Sequence, residues 1–157
     1  MKKKLIRIGI AVLLCVFVGF LSSIATKSSI DTWYTTLNKP SFTPPNWVFG
    51  PVWAILYIMM GIAAGIVWNK GFYHKWVKVA LYHFGFQLLL NVAWSIFFFG
   101  LRNPFIALLD IIALFILLLF TIKWFTVVNS TAAYLLIPYV VWVAFATALN
   151  FAVWQLN

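Results

Sequence analysis

Acidic side chains are nearly absent from this chain. It has no glutamate and two aspartates, Asp31 and Asp110, against eleven lysines and arginines in 157 residues. That shortage excludes paired-carboxylate hydrolysis, which needs an acid on each side of the scissile bond, and the oxygen-rich cages of calcium sites. Charge of either sign makes up only 8% of the residues, while 65% are hydrophobic and the mean hydropathy is +1.03. Such a chain has too little polar surface to cover a water-soluble globule, so lipid is the solvent for most of it. The single cysteine, Cys15, permits no internal disulfide and lies in an apolar run, as inert packing would. His74 and His83 stand far from any Cys/His cluster, and no Walker loop, dinucleotide fingerprint or nucleophile–base set is present. No metal and no cofactor are therefore expected. The net charge of +9 is not a nucleic-acid footprint either, because the cations flank the apolar runs instead of forming a basic face.

Long apolar runs are what the chain has instead. Its length suits one domain, 1–157, and the runs predict five spans at about 5–25, 47–68, 79–101, 105–124 and 132–156. The basic start, Met1-Lys2-Lys3-Lys4, followed by an apolar stretch, resembles a signal peptide. The run is long enough to cross a bilayer, so it is read as an uncleaved first span. Continuous rather than alternating apolar residues exclude a β-barrel. The fold class expected is all-α, an integral-membrane bundle of five helices. With the N-terminus inside, the inner side holds Lys2, Lys3, Lys4, Arg7, Lys70, Lys75, Lys78 and Lys123, and the outer side only Lys27, Lys39 and Arg102. That bias predicts a cytoplasmic N-terminus, with the first loop and the C-terminus outside.

One stretch breaks the apolar pattern: WYTTLNKPSFTPPNWVFGPVW, residues 33–53, within a connection over 26–46 that leads into the second span. It holds Pro40, Pro44, Pro45 and Pro51 with Trp33, Trp47 and Trp53. Pro44-Pro45 cannot lie inside a regular helix, so an ordered loop ending near Asn46 is predicted. Aromatic rings beside a rigid turn suit a lid over something flat and apolar. They equally suit residues marking the membrane–water interface.

Polar groups inside the spans give further candidates. In span three, Gln87, Asn91, Trp94 and Ser95 share one helical face, with His83 one turn earlier. That face must point into the bundle, either as interhelical glue or as the wall of a ligand pocket. Asp110 in span four has no buried cation to pair with, and the amides of span three are its expected partners. In span five, Tyr139, Trp142, Ala146 and Asn150 form a stripe in which the small Ala146 leaves room beside the Trp142 indole or admits a neighbouring helix. Gly61 and Gly65 are spaced for a close helix contact inside the bundle.

Taken with QLLLNVAWSIFFF, ALLDII and PYVVWVAFATALN, the loop stretch resembles the TspO/MBR family, the tryptophan-rich sensory proteins and translocator proteins, over nearly the whole chain. The resemblance implies a bacterial membrane protein, usually a homodimer, with a pocket beneath the first loop. It implies a flat apolar ligand, such as protoporphyrin IX or a benzodiazepine-type compound. The residues it places at that pocket are Trp33, Tyr34, Trp53, Asn91, Trp94, Asp110, Trp142 and Ala146. It also implies an alternative, light-dependent oxidative breakdown of protoporphyrin in which Trp53 and Trp142 would be the catalytic residues. The porphyrin propionates would meet Lys39 and the loop amides. Animal members carry a sterol motif, a tyrosine followed by a basic residue, near the end of span five. Here that end reads NFAVWQLN, so sterol binding by that route is not expected.

Overall fold

The computed structural model describes all 157 residues and contains no strand. Its helices are α1 (Lys2–Lys27), α2 (Asn46–Asn69), α3 (Lys75–Ser95), α4 (Pro104–Val128), α5 (Ser130–Leu135) and α6 (Ile137–Leu156). With α5 and α6 forming one span, five segments are long and apolar enough to cross a membrane, and the protein is an integral membrane protein built as a five-helix bundle. Successive spans run antiparallel because the connections after α2, α3 and α4 are only a few residues long. α1 packs along α2, α3 along α4, and α4 along α6.

Local chemistry sets the helix ends. Pro45 occupies the N-cap of α2, where its missing N–H costs nothing. Asn103 caps α4 by accepting from the Ile106 amide at 3.2 Å, with Pro104 as first helical residue. Asn129 alone separates α4 from α5 and accepts from the Ala132 amide at 3.0 Å. The fifth span breaks at Leu136, just ahead of Pro138, which cannot donate to the carbonyl four residues before it. Just past the end of α2, Gly71 turns the chain with a φ of +112, open to glycine but strained for other residues.

A Cβ on Gly61 would strike the backbone of Val12, and one on Gly65 would lie 2.5 Å from the Ile8 Cα, so these glycines let α1 lie directly on α2. The contact is within the chain, as the spacing suggested. At the other end of the bundle, the regular helix of α3 stops at Ser95 and continues as a π-helical turn over Ile96–Gly100. That wider turn re-aims Phe98 and Phe99 into the protein, where both are buried.

Candidate ligand-binding site

Between the first loop and the loop-side halves of α1, α2, α3 and α6 lies a cavity of about 490 Å³. Its wall is aromatic. Trp53 comes from α2, Trp94 from α3, Phe98 and Phe99 from the π turn, Trp142 from α6 and Tyr34 from the loop. The indoles of Trp53 and Trp142 stand perpendicular with centroids 6.4 Å apart, and Phe49 meets Trp142 edge-on at 6.1 Å. Ala146, one turn beyond Trp142, keeps the space beside the indole open. On the α1–α2 side the rim consists of exposed Val16, Phe20, Ala54 and Ile58, facing hydrocarbon.

The loop is fastened at both ends. At its start, the Ser29 hydroxyl donates to the Phe99 carbonyl and accepts from Arg102 Nε at 3.1 Å. At its far end, Asn157 Oδ1 accepts from the Asn38 amide at 3.1 Å, and Asn157 Nδ2 donates to the Asn38 carbonyl at 2.9 Å. Between these latches Tyr34 is buried, with its ring against Phe49, Phe98 and Phe99. Lys39 closes over it, its Nζ 4.6 Å from the ring centroid and donating to the Tyr34 carbonyl at 2.8 Å. Burial pushes the Tyr34 phenol up to about 12, so the hydroxyl stays protonated at neutral pH.

Polar atoms on the wall fall into two groups. Trp94 Nε1 donates to Asn150 Oδ1 at 2.9 Å, and Asn150 Nδ2 donates to the Pro104 carbonyl at 2.8 Å, so both side chains are satisfied. By contrast, Ser22 Oγ, Tyr34 OH and Trp142 Nε1 are buried, belong to residues lining the cavity, and have no hydrogen-bond partner. All three atoms are covered by neighbouring side chains, so a ligand in the cavity would reach them only after those side chains turn.

Below the cavity a polar chain ties three helices together. Tyr57 OH donates to Asn91 Oδ1 at 2.7 Å, Asn91 Nδ2 to Tyr139 OH at 2.6 Å, and Tyr139 OH to Gln87 Oε1 at 2.7 Å. The face of α3 read from sequence thus divides: Gln87 and Asn91 act as interhelical glue, while Trp94 and Ser95 line the cavity.

Of the eight residues the resemblance placed at the pocket, Tyr34, Trp53, Trp94, Trp142 and Ala146 line the cavity. The structure sets the other three apart from the wall. Trp33 packs edge-on to Phe98 at 5.7 Å, behind the lining. Asn91 is engaged in the chain beneath. Asp110 is buried on α4, and its Oδ2 has no partner. The expected pairing of Asp110 with the span-three amides is not found: Asn91 bonds Tyr57 and Tyr139, and Gln87 accepts from Tyr139. Lys39 turns inward onto Tyr34, and the cation at the cavity edge is Lys27. Sequence reasoning missed the α1 contribution (Ser22, Ser23 and Thr26), whose one signal was a cluster of hydroxyls ending an otherwise apolar helix. It also missed Phe98 and Phe99, whose inward aim depends on the π turn.

A five-span helical membrane protein with a loop-capped, tryptophan-walled cavity defines the class, and sequence comparison places the chain within it. The TspO/MBR family profile matches residues 11–155, and the chain belongs to that family. It is 43% identical over 157 residues to the tryptophan-rich protein TspO of Chlorobaculum tepidum, covering 100% of this chain and 99% of that one. It is 45% identical over 154 residues to the TspO of Archaeoglobus fulgidus, covering 98% of each. With the human translocator protein it shares 44% identity over 128 residues, 80% of this chain and 75% of the human one.

Proposed function

We propose that this protein is a membrane receptor or carrier for a flat apolar tetrapyrrole such as protoporphyrin IX, and for benzodiazepine-type compounds, held beneath the first loop. The observation that carries this reading is the cavity itself. Its volume of about 490 Å³ lies within the roughly 300–1,000 Å³ usual for small-molecule sites. Indole faces suit a planar π-system, and the wall offers them from Trp53, Trp94 and Trp142. Tyr34, Trp53, Trp94, Trp142 and Ala146 form the contact wall. In this reading Trp33 and Asn91 act one layer behind it, holding Phe98 and Tyr139 in place, and Asp110 lies buried behind the wall. Lys27, at the cavity edge, is the cation available to a propionate. The protein acts as a homodimer in a bacterial cell membrane, with the N-terminus cytoplasmic and the loop outside. The charge bias supports that orientation, and the resemblance to the family supports the dimer.

A second reading adds chemistry at the same site: light-dependent oxidation of the bound porphyrin by oxygen, with Trp53 and Trp142 as the participating indoles. Their perpendicular contact at 6.4 Å on the cavity wall favours it, because two electron-rich rings adjoin the ligand space. One experiment tests both readings. Detergent-purified protein is titrated with protoporphyrin IX in the dark, tryptophan fluorescence is followed, and the sample is then illuminated. Saturable quenching weakened at least tenfold in Trp142→Ala is expected. Equal quenching in both proteins would remove the assignment. A new absorbing product formed by wild type, and not by Trp53→Phe or Trp142→Phe, supports the enzymatic reading. Equal bleaching in all three leaves the binder alone.

A further inference from the structure

Away from the loop-capped cavity, α1 and α3 leave an apolar groove of about 350 Å³ between them, floored by Ala64 and Trp68 of α2. All ten residues lining it are hydrophobic, among them Ile10 and Leu14 on α1 and Phe84 and Leu88 on α3. With no polar wall, the groove accepts hydrocarbon. Its mouth differs. Trp68 and Phe72 stand at the end of the bundle that carries the N-terminus, and a cation lies over each ring. The Arg7 guanidinium carbon is 5.4 Å from the Trp68 centroid, and Lys78 Nζ is 5.8 Å from that of Phe72. Arg7 also donates to the Trp68 carbonyl at 3.5 Å, which holds the guanidinium at the rim. Neither cation has an acid to pair with. Asp31 follows α1, and Asp110 lies in the second turn of α4, both toward the opposite end of the bundle.

We propose that this groove is a binding site for an anionic glycerophospholipid, with one acyl chain between α1 and α3 and the phosphate between Arg7 and Lys78. The depth fits. From Arg7 to Cys15 the α1 wall runs about 12 Å at 1.5 Å per residue, close to the roughly 15 Å of hydrocarbon in one leaflet. A lipid anchored at the basic mouth therefore places its chain along the groove as far as the bilayer midplane. Two unpaired cations distinguish headgroups. A zwitterionic lipid brings its own ammonium to the same place, whereas an anionic one brings net negative charge, a difference on the order of tenfold in occupancy. The site is separate from the cavity beneath the loop and does not depend on what that cavity holds.

The test is electron paramagnetic resonance on protein reconstituted in phosphatidylcholine bilayers. Each sample contains a trace of chain-nitroxide phosphatidylglycerol or of chain-nitroxide phosphatidylcholine, and the motionally restricted fraction of label is read. Wild type should restrict the phosphatidylglycerol label in clear excess. Arg7→Gln/Lys78→Gln should abolish that excess. Lys75→Gln/Lys123→Gln removes as much charge from the same end but at the Trp76–Trp124 stack of α3 and α4, outside the groove lining, and should retain it. Equal restriction of both labels by wild type, as when a second copy of the chain fills the groove, would overturn the site. So would equal loss in the two double variants, which would reduce the effect to the general charge of that end.

Discussion

Tyr139 shows how much one hydroxyl can hold in this bundle. It is fully buried, accepts from Asn91 and donates to Gln87, whereas Tyr57 makes a single bond to the same asparagine. Tyr139→Phe therefore orphans two buried amide atoms and Tyr57→Phe one. With buried polar pairs between membrane helices worth about 0.6–1.7 kcal/mol, Tyr139→Phe should cost roughly twice as much stability as Tyr57→Phe. Thermal melts in a fixed detergent would show it, and an equal or reversed order would contradict the network. The same residues show where sequence reading stops. Helical spacing puts Gln87, Asn91 and Trp94 on one face, but whether a polar face is glue or wall depends on what the neighbouring helices offer. Here the tyrosines of α2 and α6 take the amides and leave Trp94 to the cavity. Asp110 was legible as a buried acid, but its lack of a partner was not, because that depends on how α4 is set against its neighbours.

At the level of elements, glycines of the same composition do opposite things. A side chain at Gly61 would meet the Val12 backbone, while one at Gly85 on α3 meets nothing within 4 Å. Gly61→Ala should push α1 off α2 and cost about 1–3 kcal/mol. Gly85→Ala should be neutral, or stabilising by up to about 1 kcal/mol through helix propensity. Unfolding of both variants in graded denaturing detergent would decide, and destabilisation of similar size would refute the α1–α2 contact. The five spans were readable from the length of their apolar runs, and the glycine spacing announced a close contact. The start of α2 at Asn46 followed from Pro44-Pro45. The π turn at Ile96–Gly100 had no such mark: its residues, IFFFG, suit any lipid-facing helix end. The loop latches join residues 73 and 119 positions apart, a pairing no local pattern encodes.

Across the whole molecule the charge distribution sets the expected topology. In a Cys15→Ser background, Lys39→Cys should react with a membrane-impermeant maleimide added to intact cells, and Lys70→Cys only after lysis. The reverse pattern would invert the protein. Amine-reactive cross-linking of the same membranes should give a band near twice 18.0 kDa; a monomer band alone would dispose of the dimer. One feature of the cavity bears on how any ligand is weighed. Its rim on the α1–α2 side is built from Val16, Phe20, Ala54 and Ile58, which face the surrounding amphiphile rather than water. An apolar compound therefore equilibrates with the site from the phase in which it has already dissolved. Its apparent Kd, expressed per litre of buffer, should climb in proportion to the detergent or lipid added, while the same constant expressed as mole fraction in that phase stays fixed.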